Sequence, residues 1–291
     1  MVKINPEGDI HILLATDNNY APYVKVTINS LLCNCNPGYS YDIVILCVDV
    51  ENEHKELISN LTKKHENAKI RFFDVKEYIK EWGNLTINGY LTLATYFRLL
   101  IFSELFDNYE KLVYLDSDVI VEGDISNLFF TDMENKPLAA VEELGFRQLS
   151  FSKKAVFLDQ NKPFNIDNYK MYGIGMKNPK EYFNAGVMLF DLVKCRKSIH
   201  IENVKEILSK HVYYYNDQDV LNILFDGKVK LIDPEWNYEN CVDAFLSKRP
   251  EVYGSIFEDV KRMSPKIIHY VSARKPWNCD VALDEYFHKY E

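Results

Sequence analysis

Residues Lys111–Asp118 read KLVYLDSD, in which a short apolar strand runs directly into two aspartates separated by one serine. Neither a helix nor an apolar core favours the tripeptide Asp116-Ser117-Asp118, so it marks the point where the strand ends. Carboxylates at positions i and i+2 lie on one side of an extended chain and can bind a hard divalent cation there. Acidic pairs are also common in solvated turns and helix caps, and the tripeptide alone leaves both interpretations open.

The residues on either side of this stretch alternate between apolar runs of strand length and patterns of helical period. The predicted strands are Ile10–Ala15, Tyr41–Val48, Lys69–Phe73, Lys111–Leu115, Leu138–Val141 and Phe183–Leu189. The predicted helices are Tyr20–Leu32, Glu51–Lys64, Leu91–Phe106, Val204–His211 and Val220–Leu224. This alternation predicts an α/β fold with a mixed, mostly parallel sheet flanked by helices.

The segment from Leu144 to Glu181 follows neither period and contains several prolines, glycines and asparagines among scattered aromatics. It predicts an irregular insertion at about residues 144–181. The length of 291 residues fits one α/β unit with insertions, so we expect a single domain over residues 1–278. Residues 279–291 are expected to form a C-terminal helical tail.

The charge balance excludes several classes of partner. Thirty-four Lys and Arg residues against 43 Asp and Glu residues give a net charge of -9, which opposes binding to nucleic-acid phosphates or an anionic membrane. No apolar run approaches the roughly 18 residues of a membrane span, and Met1–Asp9 lacks a signal-peptide core. We therefore expect a cytoplasmic protein with no nucleic-acid partner and at most peripheral membrane contact.

A histidine far along the chain has the same setting as the two aspartates. His269 directly follows the apolar pair Ile267-Ile268 and precedes the polar stretch Tyr270–Trp277. Two carboxylates and an imidazole with open positions suit Mn²⁺, or Mg²⁺, completed by phosphate oxygens. Asp116, Asp118 and His269 are therefore the predicted metal ligands.

Six blocks occur in order: ATDNNY at 15–20, TYFR at 95–98, YLDSD at 114–118, YFNAGV at 182–187, DQDVLN at 217–222, and HY at 269–270 with KPW at 275–277. Together they resemble family 8 of the retaining glycosyltransferases, the family of bacterial lipooligosaccharide galactosyltransferases and of glycogenin. The resemblance implies the GT-A fold, with a Rossmann-like nucleotide-binding half and a DxD motif. It also implies an Mn²⁺-dependent hexosyltransferase that moves galactose or glucose from a UDP-sugar to a glycan, glycolipid or lipopolysaccharide hydroxyl.

The resemblance assigns roles to the residues of each block. Asp116, Asp118 and His269 would hold the metal against the donor diphosphate, with Lys275 as a second cation. In the first block the main chain near Ala15 and the carboxylate of Asp17 would read the uracil or ribose, while Tyr20 stacks on the base. The full set expected to bind the nucleotide-sugar is Ala15, Thr16, Asp17, Asn19, Tyr20, Thr95, Arg98, Asp116, Ser117, Asp118, Asn184, Ala185, Gly186, Asp217, Gln218, His269, Ser272 and Lys275.

The residues expected at the reacting sugar are Arg98, Asp217 and Gln218. Arg98 lies on an apolar predicted helix and needs an anionic or hydroxyl partner if buried, for which Asp116 and the sugar hydroxyls are the candidates. Retention requires either a nucleophile on the opposite face of the sugar or a same-face attack assisted by the departing phosphate, and both routes stay open. Gln218 is a poor nucleophile, so we expect its amide oxygen to support the cationic sugar while Asp217 binds hydroxyls. The structural alternative for Asp217 is an N-cap of the following helix.

Two further expectations concern loops. Ser272 stands where the family often has glycine, three residues after the histidine, and its side chain would either hydrogen-bond phosphate or crowd it. This loop and Gly83–Tyr90 are expected to close over the donor, with the acceptor between them and the insertion.

Two other functions compete with this one. A sugar nucleotidyltransferase also reads a nucleotide at its first strand but usually opens with a glycine-rich basic loop, whereas this loop is Ala15–Tyr20. A non-catalytic nucleotide-sugar-binding protein would not need Asp116, Asp118, His269, Lys275 and Gln218 all to be present.

Overall fold

The computed structural model describes residues 3–80, 82, 85, 92–152, 155–157, 163–210, 212–242 and 264–291. Its strands are β1 Ile10–Asp17, β2 Tyr41–Val48, β3 Ala68–Asp74, β4 Lys111–Leu115, β5 Val119–Val121, β6 Leu138–Glu142, β7 Ala155–Phe157, β8 Pro163–Asn165, β9 Phe183–Asp191, β10 Val229–Leu231, β11 Tyr238–Glu239 and β12 Ile267–His269. Its α-helices are α1 Ala21–Asn34, α2 Asn52–Ser59, α3 Lys76–Lys80, α4 Ile125–Phe129, α5 Leu144–Ser152, α6 Ile166–Asn168, α7 Leu192–Cys195, α8 Ile201–Lys210, α9 Asn216–Leu224 and α10 Asp284–His288. The 3₁₀ segments are Asn60–Lys64, Leu93–Phe102, Glu104–Phe106, Pro179–Glu181 and Pro234–Trp236, and Tyr169–Gly173 is a π-helical turn.

A seven-stranded sheet forms the centre of the fold, with the strand order β10-β6-β9-β4-β1-β2-β3. The pairs β1–β2, β2–β3, β1–β4 and β6–β10 are parallel, and only β9 runs against its neighbours β4 and β6. The mixed, mostly parallel α/β sheet predicted from the sequence is therefore confirmed.

The apolar strands are continuous because the sheet is covered on both faces. Along β1, Leu13 and Ala15 belong to one buried cluster, with Leu99 and Leu100 of the 3₁₀ segment, while the alternate residues Ile12 and Leu14 belong to a second. The second cluster includes Ile28 of α1. A strand buried on both sides reads as an uninterrupted apolar run, which is the pattern that identified it.

A three-stranded sheet, β11-β12-β5, brings His269 to the main sheet. β12 pairs antiparallel with β5, so His269 lies opposite Val119, immediately after the Asp116–Asp118 turn. The backbone N–H of Tyr270 then donates to the carbonyl of Asp118 at 3.1 Å.

The residues after β12 pack back onto α1. Trp277 stacks on Tyr23 with ring centroids 3.8 Å apart, and Phe287 of α10 is buried beside them. Within residues 279–291 the structure therefore contains one short helix, α10, held by aromatic contacts.

Three expectations about elements change. β1 continues two residues beyond its predicted end at Ala15, so Thr16 and Asp17 also lie inside the strand. The segment predicted as a helix over Leu91–Phe106 is a 3₁₀ helix over Leu93–Phe102, which ends at the extended residue Ser103. The cap of α9 is Tyr215, so Asp217 lies in the first turn and does not act as an N-cap.

The segment 144–181 contains α5, the paired strands β7 and β8, α6 and the π-helical turn. The β7–β8 pair forms a separate two-stranded sheet outside the main one. Of the segment predicted to be a lid, 83–90, only residue 85 lies among the described residues. Among the described residues, no helix is both long and apolar enough to span a bilayer.

Candidate active site

The site lies at one edge of the main sheet, where the carboxyl ends of β1 and β4 meet the amino end of antiparallel β9. Leu115 pairs with Val187, and the backbone N–H of Asp116 donates to the carbonyl of Gly186 at 2.8 Å. The DSD turn (Asp116–Asp118) and the NAG tripeptide (Asn184–Gly186) therefore face one another, because β4 ends and antiparallel β9 begins at this edge.

Asp116, Asp118 and His269 form a compact group, with one ligand atom from each lying within 4.8 Å of the others. His269 Nε2 is 3.3 Å from Asp118 Oδ1 and 3.8 Å from Asp116 Oδ2. The imidazole is buried, whereas both carboxylates are partly open to the cavity. The structure thus brings together three residues that are up to 153 positions apart in the chain.

Gly186 makes room for the imidazole. A Cβ atom at this position would lie 2.2 Å from His269 Cε1 and 2.7 Å from Nδ1, a separation that non-bonded atoms do not reach. The small residue in the NAG tripeptide is therefore required by its contact with the histidine ring.

Charged neighbours set the ionisation of Asp118. Burial alone would raise the pKa of its carboxyl group, but the Lys275 ammonium, with a further contribution from His269, outweighs burial and lowers this pKa below its ordinary value. Lys275 is buried and binds both the Asp118 carboxylate and the carbonyl oxygen of Tyr270. Asp118 is therefore held as an anion at the cavity wall.

Arg98 bridges two carboxylates beneath the cavity. Its Nη2 lies 2.6 Å from Asp116 Oδ1 and its Nε lies 2.9 Å from Asp217 Oδ2. The guanidinium also covers the ring of Tyr114, 4.5 Å from its centroid. The contact between Arg98 and Asp116 agrees with the expectation from the sequence, since a buried arginine needs an anionic partner.

Asp217 is buried beside Arg98 and Thr95. Burial raises its pKa to about 6, although Arg98 and the hydroxyl of Thr95, which donates to Oδ1, oppose the rise. Among the described residues, Asp217 Oδ2 has no aligned hydrogen-bond donor, despite its short separation from Arg98 Nε. Asp217 lies on the cavity wall, but this oxygen is itself buried against Arg98.

Gln218 and Asn184 converge on a glutamate that the sequence did not single out. Gln218 Nε2 and Asn184 Nδ2 both donate to Glu143 Oε2, at 3.0 and 2.8 Å. The amide oxygen of Gln218 accepts the backbone N–H of Ala185 at 2.9 Å. One lone pair of that oxygen is thus already used by the main chain, and one remains.

These residues surround a cavity of about 380 Å³. Its walls include the predicted residues Thr95, Arg98, Asp116, Asp118, Asn184, Ala185, Asp217, Gln218, His269, Ser272 and Lys275. They also include residues that the sequence did not indicate, namely Glu143, Gly145, Phe146, Leu149, Tyr215, Glu239, Cys241 and Val271. A cavity of this size holds a ligand as large as a nucleotide or a disaccharide.

A smaller recess adjoins the first and shares four residues with it, Thr95, Arg98, Asp116 and Asp118. Ala15, Thr16, Tyr20 and Ser117 also line it. The hydroxyl of Ser117 donates to the carbonyl of Ala15 at 2.5 Å, which ties the DSD turn to the end of β1.

Asp17 and Asn19 stand apart from the rest. Within the described part of the chain neither lines the cavity or the recess, and Asp17 Oδ1 accepts the backbone N–H of Tyr20 at 3.0 Å. Tyr20 itself makes edge contacts with Tyr23 and Trp277. Burial raises the pKa of its phenol to about 12.

Ser272 has a backbone φ of 81°, a left-handed conformation that glycine adopts most easily. This explains why glycine suits the position, and shows that the serine is accommodated at some cost in strain. Its side chain is exposed at the cavity, where Oγ accepts the N–H of Arg274 at 3.3 Å.

A second carboxyl group, that of Glu239, lies beside Glu143. Its two oxygens accept the backbone N–H groups of Leu144 and Gly145 at 3.0 and 3.2 Å. Burial, reinforced by the adjacent Glu143, raises the pKa of Glu239 well above its ordinary value. No local pattern in the sequence distinguishes these two glutamates from exposed ones.

The donor set fits a hard divalent cation. Two carboxylates and one imidazole on a cavity wall leave positions open for ligand oxygens, as Mn²⁺ and Mg²⁺ require. Arg98 and Lys275 contact Asp116 Oδ1 and Asp118 Oδ2, whereas the oxygens near His269 Nε2 are Asp116 Oδ2 and Asp118 Oδ1.

Comparisons with known proteins agree with this geometry. The sequence model of the family described as Glycosyl transferase family 8 matches residues 11–280. A lipopolysaccharide 1,2-glucosyltransferase of Escherichia coli K12 is 28% identical, and the alignment covers 96% of this chain and 75% of the relative.

Two solved structures share the fold. The bifunctional glycosyltransferase WbbM has a TM-score of 0.85 and 28% identity over 99% of this chain, which spans 50% of WbbM. The galactosyltransferase LgtC, solved with donor and acceptor sugar analogues, has a TM-score of 0.74 and 26% identity, with 96% of this chain and 94% of LgtC covered.

Proposed function

The chain belongs to glycosyltransferase family 8 and is a hexosyltransferase of the GT-A fold, and from this premise we propose its reaction. A hexose, galactose or glucose, moves with retention from a UDP-sugar to a hydroxyl of a glycan or lipopolysaccharide acceptor. The relatives named as a lipopolysaccharide glucosyltransferase and a galactosyltransferase support the proposed donor and acceptor classes.

The observation that carries the proposal is the group of Asp116, Asp118 and His269 on the wall of the cavity. These residues would hold Mn²⁺ or Mg²⁺. When bound, the ion would act as a Lewis acid that stabilises negative charge on the departing diphosphate. A chain with a net charge of -9 needs such local positive charge to bind a diphosphate at all.

The smaller recess would receive the nucleotide. It opens at the end of β1, where sheets of this kind bind nucleotides, and its wall includes Tyr20 and the backbone of Ala15. We propose Ala15, Thr16 and Tyr20 as base and ribose contacts. Asp17 and Asn19 are retained in this proposal as rim residues, with Asp17 supporting Tyr20 through its backbone N–H.

The larger cavity would receive the hexose and the acceptor. Asp217 would bind a sugar hydroxyl, and Asn184 and Ala185 would line the same pocket. Lys275 would stabilise the diphosphate from the side of Asp118. Gln218 would act as a neutral support, because the remaining lone pair of its oxygen can face a cationic sugar without forming a bond.

A thermal-shift measurement with UDP, with and without Mn²⁺, tests the site. Ligand at about 100 times Kd adds roughly 2.7 kcal/mol, which raises the Tm by several degrees in a chain of this size. We expect this shift to require the metal and to disappear in Asp118→Ala. The control is Asp107→Ala, a surface aspartate paired with Lys3 before β4, which should keep the shift. A shift of equal size without metal would contradict the assigned role of the carboxylates.

Turnover separates the proposal from its rivals. A hexosyltransferase releases UDP from the UDP-sugar, slowly to water and faster with acceptor. A nucleotidyltransferase would instead release pyrophosphate from UTP and a sugar phosphate, and a non-catalytic binder would show the thermal shift without release of UDP.

A further inference from the structure

We propose that Asn237 is a positioning residue that holds His269 in the tautomer protonated at Nδ1, so that unprotonated Nε2 faces the two aspartates. Only the consequence for metal binding rests on the proposed function. The assignment of the tautomer follows from three hydrogen bonds among buried side chains and one from the backbone N–H of Gly186.

Asn237 contacts the imidazole ring of His269 directly. His269 Nδ1 lies 2.9 Å from Asn237 Oδ1. An amide oxygen only accepts hydrogen bonds, so the ring nitrogen must be the donor in this pair. In a neutral imidazole the other nitrogen, Nε2, then carries the lone pair.

The side-chain amide of Asn237 has two possible orientations, since its oxygen and nitrogen could exchange places. Asn237 Nδ2 donates to Asn184 Oδ1 at 2.9 Å. Reversing the amide would place two oxygens against each other at this contact. The orientation of Asn237 therefore depends on that of Asn184.

Two hydrogen-bond partners fix the orientation of the Asn184 amide. Its Oδ1 accepts the backbone N–H of Gly186 at 2.8 Å, and a backbone N–H can only donate. Its Nδ2 donates to Glu143 Oε2 at 2.8 Å. Both partners require the same orientation, so the direction of every hydrogen bond from Glu143 to the imidazole is determined.

Burial makes this network specific. Asn237 is fully buried, and Asn184, Glu143 and His269 are each less than a tenth exposed. Water does not replace a lost partner at such positions, so a reversed amide would leave like groups facing each other. The network therefore transmits the orientation set by the main chain of β9 to the ring of His269.

The consequence is an imidazole prepared for a cation. With Nδ1 protonated, the Nε2 lone pair points toward Asp118 Oδ1 and Asp116 Oδ2, at 3.3 and 3.8 Å. Two carboxylates near a lone pair repel it, so without the network the ring would favour the opposite tautomer and donate to Asp118. Partners that fix a ligating histidine in this way commonly change metal affinity by about 10–100-fold.

The tautomer can be read directly in the metal-free protein. Long-range ¹H–¹⁵N spectra of histidine-labelled protein at about pH 9, above the ordinary histidine pKa of about 6.5, report which ring nitrogen carries the proton. We expect the Nδ1–H form for His269 in the wild type. In Asn237→Leu we expect a shift to the Nε2–H form.

Comparison of the wild type with Asn237→Leu also tests the effect on Mn²⁺ affinity, by electron paramagnetic resonance titration. Asn237→Leu should weaken binding about 10–100-fold. The control is Asn67→Leu, which removes a partly buried asparagine bonded to Tyr39 at the opposite edge of the sheet and should leave binding unchanged. If Asn237 served only packing, a folded Asn237→Leu would keep the tautomer of His269 unchanged.

The outcomes separate the two proposals. An Nε2–H tautomer in the wild type overturns the role of Asn237, and this spectrum needs no variant should Asn237→Leu fail to fold. A folded Asn237→Leu with an unchanged tautomer or unchanged Mn²⁺ affinity overturns it as well. The expected tautomers in a wild type that binds no Mn²⁺ would uphold the role of Asn237 and contradict the proposed function instead.

Discussion

At the scale of single residues, the site depends on a few close contacts that tolerate no added atom. The hydrogen atom at Gly186 is the best example, because the imidazole of His269 occupies the space that any side chain would need. The same backbone also accepts the N–H of Asp116 and donates to Asn184. One glycine thus sets the relative positions of the His269 ring, the Asn184 amide and the main chain at Asp116.

Gly186→Ala should displace the imidazole of His269 and separate it from Asp116 and Asp118. We expect a loss of at least about 100-fold in UDP release, since a misplacement near 1 Å at a reacting centre has effects of that order. The overpacked site should also lower the free energy of unfolding by about 1–3 kcal/mol. Measurements of UDP release and urea denaturation check both effects.

Gly38→Ala is the matched control for this prediction. Gly38 lies in the exposed turn before β2, where a Cβ atom would meet only the amide oxygen of Asn36, at 3.1 Å. Its activity should equal that of the wild type. An active Gly186→Ala enzyme would show that the position of the imidazole is not critical.

At the scale of elements, the 3₁₀ segment Leu93–Phe102 determines how the cavity floor is built. With three residues per turn, positions i and i+3 lie above one another, so Thr95 and Arg98 share one face. Both then reach Asp217 of α9. An α-helix over the same residues would rotate successive side chains by 100° instead of 120° and would leave these two groups about 60° apart around the axis.

Thr95→Val tests this arrangement because it keeps the shape of the side chain and removes the hydroxyl donor. Asp217 Oδ1 loses that hydrogen bond inside the core, which should lower the free energy of unfolding by about 1–3 kcal/mol. The pKa of Asp217 should also rise further above about 6. Urea denaturation measures the first effect, and the pH dependence of UDP release measures the second.

The chain offers a close control in Thr62→Val. Thr62 also lies in a 3₁₀ segment and donates to a carbonyl three residues earlier, that of Ser59, but it does so at the surface. Its loss should change the free energy of unfolding by less than about 0.5 kcal/mol. Equal effects of the two substitutions would mean that Asp217 does not depend on the Thr95 hydroxyl.

At the scale of the whole molecule, folding concentrates ionisable groups at one edge of the sheet. Asp217 and Asp219 are buried there, and burial raises the pKa of each to about 6, although hydrogen bonds from Tyr169 and Tyr182 oppose the rise at Asp219. The fold therefore holds two carboxyl groups near the cavity whose charged forms are disfavoured by burial. That residues 1–278 form one folding unit stays a prediction.

The raised pKa values of these two carboxyl groups predict how the free energy of unfolding varies with pH. A group with a higher pKa in the folded chain binds its proton more tightly when folded, so its stabilising effect is complete below the unfolded value of 3.8 and is lost as pH rises through about 6. The neutral variant Asp219→Asn lacks the contribution of Asp219 to this dependence and keeps that of Asp217. Relative to the variant, the wild type should lose about 2–3 kcal/mol between about pH 4 and pH 7.

Denaturant titrations of both proteins across this pH range measure that difference. Any constant penalty from the altered hydrogen bonds to Tyr169 and Tyr182 cancels, because only the change with pH is compared. The exposed substitution Glu66→Gln should leave the pH profile of the wild type unchanged. A constant difference between wild type and Asp219→Asn would show that burial does not raise the pKa of Asp219.

The sequence by itself located six of the seven strands of the main sheet, all except β10. Continuous apolar runs predicted β1, β2, β4, β6 and β9, because a strand covered on both faces has no polar side. It also located Asp116, Asp118 and His269, since polar residues that directly follow a buried strand lie at the edge of the sheet. Both signals are local, and a local pattern of burial is what an amino-acid sequence records most directly.

Only the tertiary structure decided which distant groups meet. Glu143 and Asn237 have no distinctive neighbours in the sequence, yet they join Asn184 and His269 in one network across more than 90 positions. The 3₁₀ form of Leu93–Phe102 was equally hidden, because its apolar pattern also suits an α-helix. The physical reason is that burial of a polar side chain, and the choice between two helices of similar energy, depend on neighbours that the fold supplies.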